Sequence, residues 1–143
     1  MTPKEYLRQA YRLDQRINSD IEEVGRLRQM ATSVSSPILG ERVQSSHSGD
    51  APFARSIEKM ILLEHHIDEE IDLYVDLKEQ IRQVISRIDD PDEQMVLRYR
   101  YIHNMTWEQI GDKLFSDRST VYRWHERALR HVKVPEKPII INS

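Results

Sequence analysis

Apolar positions in the first part of the chain recur in alternating steps of four and three: Tyr6, Ala10, Leu13, Ile17, Val24, Leu27 and Ala31, with Asp20 at the one position where the apolar residue is missing. This heptad seam predicts a helix over residues 3–31. Leu7, Tyr11 and Ile21 widen the stripe, so the helix is expected to pack on more than one neighbour. A second seam, Ile57, Met60, Glu64, Ile67, Ile71, Tyr74, Lys78, Ile81, Ile85 and Ile88, predicts a helix over 54–88. A helix that long cannot bury its stripe alone, so the two are expected to pair as an antiparallel coiled coil, within one chain or with a partner chain. Asp20, Glu64 and Lys78 would then be polar seam members that fix register or oligomeric state. Residues 32–54 are rich in Ser, Gly and Pro and hold no period, which predicts a long loop.

Beyond residue 89 the helices shorten. Asp90 is a suitable N-cap, Pro91 suits the first helical position and Glu93 completes a capping box, opening a helix to about His103. Asn104 is expected as a left-handed cap. Thr106 and Gln109 form a second capping box, for a short helix ending at Leu114. Phe115, Ser116 and Asp117 make a turn, and Ser116 or Asp117 caps a last helix that reaches Val132. The whole reads as an all-α fold: a long, coiled-coil-like helical hairpin over 1–89, a three-helix helix-turn-helix domain over 90–134, and a tail over 135–143. The Ile139-Ile140-Ile141 run is expected to be irregular, or a short strand if it finds a partner.

The net charge of −3 does not suggest a partner for nucleic acid, but its distribution does. Residues 1–89 carry 12 basic and 16 acidic side chains, and residues 90–143 carry 9 and 8. Within 115–133 the basic residues are Arg118, Arg123, Arg127, Arg130 and Lys133, against Asp117 and Glu126. Phosphate attraction depends on such a local face, not on the average. The chain has no cysteine, which excludes disulfides and thiolate metal sites. No apolar run approaches the roughly 20 residues of a membrane span, and the first residues lack the apolar core of a signal peptide. The expected setting is a soluble, intracellular and cytoplasmic one, with no membrane partner.

Three short helices with a three-residue turn before the last follow the layout of a helix-turn-helix. Ile110 and Leu114 are expected to face inward, Gly111 to sit where two helices cross, and Val121, Trp124 or its neighbour, Ala128 and Leu129 to continue the core. Arg118, Ser119, Tyr122 and Arg123 then fall on the outer face at the start of the recognition helix, 117–132, where such helices meet base edges. Arg suits guanine, and Ser donates or accepts. Arg127 and Arg130 lie further along, nearer the phosphates.

The run Thr106-Trp-Glu-Gln-Ile-Gly-Asp-Lys-Leu-Phe-Ser-Asp-Arg-Ser-Thr-Val-Tyr-Arg-Trp-His-Glu-Arg-Ala-Leu-Arg closely resembles region four of bacterial sigma factors, which reads the −35 promoter element. The wider chain resembles phage and prophage transcriptional regulators of the ArpU type, through Glu41-Arg-Val-Gln-Ser-Ser, Tyr74-Val-Asp-Leu-Lys and Leu97-Arg-Tyr-Arg-Tyr-Ile. The resemblance implies that Arg118, Ser119 and Arg123 meet bases and that Thr106, Trp107, Tyr122 and Arg127 lie near phosphates. Ser119 stands where sigma factors commonly carry an acid, and Arg123 where a neutral amide is common, so the −35 consensus is not the implied target. No promoter-melting region precedes the motif. The implied protein is a regulator on double-stranded DNA, upstream of late phage genes, with RNA polymerase as a further partner and a homodimer as the favoured state.

Two other readings compete: a phage DNA-packaging subunit of the small-terminase kind, and a module that binds polymerase through the sigma-like tip. His65 and His66 with Glu64, Asp68, Glu69 and Glu70 resemble a metal cluster, but helical spacing joins only pairs such as His66 with Glu70, and the sequence offers no third ligand. Asp89, Asp90 and Asp92 are accounted for by capping. No nucleophile motif or phosphate loop is present, so neither an enzyme nor a cofactor is expected.

Overall fold

The computed structural model describes residues 1–35 and 46–141. Among them the fold is all-helical: α1 (Pro3–Ser35), α2 (Ser46–Ser86), α3 (Pro91–Leu97) running into a π-helical turn (Arg98–Ile102), α4 (Trp107–Leu114) and α5 (Arg118–His131). No helix among these residues is long and apolar enough to cross a membrane. The expected loop over 32–54 is corrected at both ends, because α1 continues to Ser35 and α2 begins at Ser46 with Pro52 inside it. Once a helix is nucleated each further residue adds a hydrogen bond, so Ser and Gly of low propensity can be carried at its ends. Residues 36–45, with most of the Glu41-Arg-Val-Gln-Ser-Ser run, lie outside the described residues.

Two compact units are formed. In Gln15–Asp72, α1 and α2 run antiparallel: Arg16 meets Glu70 at 3.4 Å, Asp20 meets His66 at 3.8 Å and Arg28 meets Glu64 at 3.3 Å. Ile17, Val24 and Ala31 are buried on the α1 seam as expected, and Ile67 on α2. In this unit the α2 seam departs from expectation at one position. Glu70 is buried at 4% exposure, whereas Ile71, expected on the seam, is 39% exposed. The two Glu70 carboxylate oxygens accept no hydrogen bond from the protein. Burial first, and then the adjoining Asp20 carboxylate, raise the Glu70 pKa above the ordinary range. Of the expected polar seam members, Asp20 and Glu64 enter ion pairs, and Lys78 lies 4.8 Å over the Tyr74 ring.

The other unit joins Met1–Asp14 to Leu73–Ser143. Tyr6, Leu7 and Ala10 of α1 and Leu77, Ile81, Val84, Ile85 and Ile88 of α2 form one core with Leu97, Tyr101, Ile102, Ala128 and Val132. A second, smaller core holds Val96, Ile110 and Val121. Tyr11 and Ile21, expected to widen the α1 stripe, are 40% and 49% exposed, and only Leu7 does so. Residues 137–141 of the tail are held by side chains of α1 and α2. Gln9 donates to the Ile139 carbonyl at 3.0 Å and accepts from Ile141 N at 2.8 Å. Gln80 donates to the Lys137 carbonyl and accepts from Ile139 N. Two side-chain amides thus satisfy an extended backbone as a neighbouring strand would.

The caps follow the sequence. Asp90 accepts from the Asp92 and Glu93 amides, and Asp117, not Ser116, accepts from Thr120 N at 2.7 Å. Thr106 and Gln109 cap each other reciprocally. Asn104 is left-handed at φ 55°. Glu93, expected to complete a capping box, is buried and directs Oε1 at His131 Nδ1, 2.6 Å away. Gly111 meets the turn, not a crossing helix: a Cβ there would lie 2.7 Å from the Ser116 carbonyl oxygen. Phe115 holds φ 53° with its side chain 96% exposed.

The turn therefore yields a paired prediction. Phe115→Gly relieves a left-handed conformation without removing buried packing and is expected to stabilise the fold by about 0.5–1 kcal/mol. Gly111→Ala must displace backbone and is expected to destabilise it by about 1–3 kcal/mol. Urea unfolding of the two variants beside the parent checks both signs.

Candidate nucleic-acid interface

Asp117 starts α5 and sets which side chains its first turns present. Its hydrogen bonds with Thr120, side chain first and then backbone, hold its carboxyl below the usual carboxylate range. Val121, His125 and Ala128 are consequently buried, one helical face apart, and Arg118, Ser119, Tyr122 and Arg123 are exposed on the other. All four predicted base-reading residues thus share one surface. Arg123 Nη2 donates to Thr120 Oγ1 at 3.2 Å, a contact along its own helix that leaves the rest of the guanidinium outward. Of the two inner candidates it is His125, Trp124's neighbour, that is fully enclosed, while Trp124 is half-buried against the smaller core.

His125 fixes the floor of this surface. Its Nε2 lies 2.7 Å from the Tyr101 hydroxyl and its Nδ1 3.7 Å from Glu126 Oε1. A ring protonated on Nδ1 would face Glu126 and accept from Tyr101 through Nε2. Burial pushes the His125 pKa down to about 4, and burial pushes that of Tyr101 up to about 12, so both are neutral at pH 7. Trp107 stands edge-on to His125 with centroids 4.6 Å apart and to Tyr122 at 5.5 Å. The Arg100 guanidinium lies 4.2 Å over the Trp107 ring and donates to the Met105 carbonyl at 2.9 Å. Trp107 is therefore a rigid shelf, gripped from both sides.

Two concavities meet at that shelf. One, of about 460 Å³, is lined by Trp107, Arg118, Ser119, Tyr122 and Arg123. The other, of about 400 Å³, brings Lys4, Arg8 and Tyr11 of α1 beside Arg100, Trp107 and Tyr122. Lys4, Arg8 and Arg100 were not among the residues singled out in the sequence. The only signal was a basic pair four apart on α1, and its position beside Trp107 depends on how α1 packs.

Thr106, a predicted phosphate contact, is exposed at the start of α4 beside Trp107. The other two lie elsewhere. Arg127 pairs with Asp90 at 3.7 Å and Glu93 at 3.8 Å. Arg130 lines a separate concavity in which Arg87, Lys133 and His131 stand with Asp89, Asp90 and Glu93. Acidic neighbours there compete with phosphate, so the basic side chains fall into two groups of different character.

Residues 55–133 match the model of a family described as a protein of unknown function, DUF1492. No curated protein and no solved structure matches the chain.

The buried neutral imidazole makes the site sensitive to acid. Unfolded His125 takes up a proton near pH 6.5, whereas the folded ring resists until about 4, so the unfolded state binds more protons in that window. Its contribution is fully present above pH 6.5 and is lost as pH falls towards 4, by roughly 3 kcal/mol at 1.36 kcal/mol per pH unit. His125→Gln, which can still meet Tyr101 but cannot charge, is expected to flatten the fall in unfolding free energy between pH 7 and 5. Equal slopes for the two proteins would contradict this.

Proposed function

We propose that this chain, which belongs to the DUF1492 family, is a sequence-specific binder of double-stranded DNA that regulates transcription by laying α5 in the major groove. The observation that carries the reading is the outer face of α5. Arg118, Ser119, Tyr122 and Arg123 are all exposed there, on a helix held by a buried core and capped after a short turn. Base edges in the major groove are distinguished by such donors and acceptors, and Arg in particular forms a bidentate pair with guanine. Thr106 and Trp107, with Lys4, Arg8 and Arg100 across the adjoining concavity, would take the phosphates on that side. Arg127 and Arg130 would add less, since acids lie beside them.

The resemblance to sigma region four and to ArpU-type regulators agrees with this reading and adds a setting: the bacterial cytoplasm, and phage or prophage genes. A homodimer would place two reading helices on paired half-sites. Exposed Ile61, Leu62 and Ile71 on α2 offer apolar surface for it. One observation favours the polymerase-binding reading instead: the side chain of Phe115 is almost fully exposed at the tip of the turn. An apolar knob of that kind suits a protein groove better than DNA.

Footprinting on DNA around the chain's own gene would supply a specific duplex. On that duplex Arg118→Ala or Arg123→Ala is expected to cost about 1–3 kcal/mol and to relax preference at one base pair. Lys4→Ala with Arg8→Ala should weaken all duplexes alike and lower the salt slope by about one unit for each phosphate no longer neutralised. If both α5 variants leave specific and non-specific affinity unchanged while Phe115→Ser abolishes capture of polymerase, the protein-contact reading replaces this one. Leu62→Glu is expected to lower the sedimenting mass if α2 carries the dimer.

A further inference from the structure

The residues outside the DNA-facing surface hold a second chemical feature. In the α1–α2 pair of Gln15–Asp72, the apolar seam is interrupted by one polar layer. On α1 the buried Ile17 and Val24 flank the half-buried Asp20, and on α2 the buried Ile67 precedes the buried Glu70. His66 sits one helical turn before Glu70. Its Nε2 lies 3.6 Å from Glu70 Oε1 and 3.8 Å from Asp20 Oδ2, and the three ligand atoms lie within 4.8 Å of one another.

Two facts set this layer apart from an ordinary ion pair. Glu70 is only 4% exposed, yet neither of its oxygens accepts a hydrogen bond from the protein. Such an arrangement leaves a buried carboxylate short of compensation. The Arg16 guanidinium approaches the other oxygen, Oε2, at 3.4 Å, so Oε1 remains directed at His66 and Asp20. Two carboxylates and an imidazole therefore converge on one point.

We propose that Asp20, His66 and Glu70 bind a divalent transition-metal ion of the zinc class, which clips α1 to α2. The donor set suits it: imidazole with carboxylates selects borderline cations, whereas calcium and magnesium favour oxygen alone. The geometry is near what is needed. Bonds of about 2.0–2.1 Å to a tetrahedral ion set ligand atoms about 3.3–3.4 Å apart, so the gaps from His66 to Glu70 and to Asp20 need to close by only a few tenths of an ångström. His66 is half exposed, which gives the ion a route in and leaves a fourth position to water. The spacing of His66 and Glu70 on one helical face is visible in the sequence, and Asp20, brought by the antiparallel pairing, is the third ligand that the sequence could not supply.

The test uses the untagged full chain with cobalt(II) as a spectroscopic probe and zinc(II) as competitor. Expected are a visible absorption band of a low-symmetry site at one equivalent, its loss on adding zinc, and a zinc-dependent rise in Tm. His66→Ala and Asp20→Asn, both at solvent-reachable positions, should each weaken cobalt binding by on the order of 100-fold. His65→Ala, one residue away on the exposed face, should leave it unchanged. Far-UV circular dichroism confirms that the variants fold. The proposal is overturned if the parent chain shows neither band nor Tm shift, which would mean that a proton shared by Asp20 and Glu70 neutralises the layer. It is equally overturned if His66→Ala binds cobalt as tightly as the parent, which would place the metal at another histidine. DNA affinity plays no part in any of these readouts.

Discussion

Packing of Leu97, Tyr101 and Ala128 against Leu77, Ile81 and Ile85 is the constraint on which the remaining structure rests. The smaller core, within the helix-turn-helix, holds Val96, Ile110 and Val121 as its buried members. So few buried side chains cannot offset the conformational entropy of ordering some forty residues. Helix α5 is stable because its inner face shares the larger core with the start of α1 and the end of α2. Ala128 has no side-chain bulk to spare there, and Val132 closes the core at its end.

That sharing also determines the electrostatics. Because Tyr101 belongs to the large core and His125 to the inner face of α5, their hydrogen bond ties the two regions together under the Trp107 shelf. Glu93 and His131 do the same at the C-terminal end of α5, with Arg127 beside them. A helix tied at its middle and at its C-terminal end by polar pairs keeps its outer face in one orientation. The proposed readout of base edges would require that, since a hydrogen-bond donor displaced by an ångström no longer discriminates.

The two ends of α5 also divide the basic residues. Arg118 and Arg123 line a concavity with Trp107, Ser119 and Tyr122, whereas Arg127 pairs with Asp90 and Glu93 and Arg130 lines a concavity that holds both. The cations that replace them beside the shelf come from α1 and from the π-helical turn. The resulting surface crosses three elements of the chain, so its charge is not a property of any one helix.

The sequence by itself determined what depends on near neighbours. Helix periods, the caps at Asp90, Thr106 and Asp117, the left-handed Asn104 and the outward set Arg118, Ser119, Tyr122 and Arg123 all follow from spacing and from local hydrogen bonding. Extension of α1 and α2 into the Ser-rich stretch was not legible, because low propensity there was outweighed by continuation of established helices. Ile67, Ile81, Ile85 and Ile88 are buried as the period of α2 predicts, and tertiary structure alone decided where the inward stripe departs from it. Glu70 and Leu77 are buried in place of Ile71 and Lys78, since steps of three and four permit either set and only the partner helix chooses. The same choice brought Asp20 to His66 and Glu70. Packing at long separation likewise carried Lys4 and Arg8 to Trp107 and gave the tail its partners in Gln9 and Gln80. Gly111 shows the division within one residue: its smallness was readable, but its reason, the Ser116 carbonyl where a Cβ would lie, exists only once the turn has folded back.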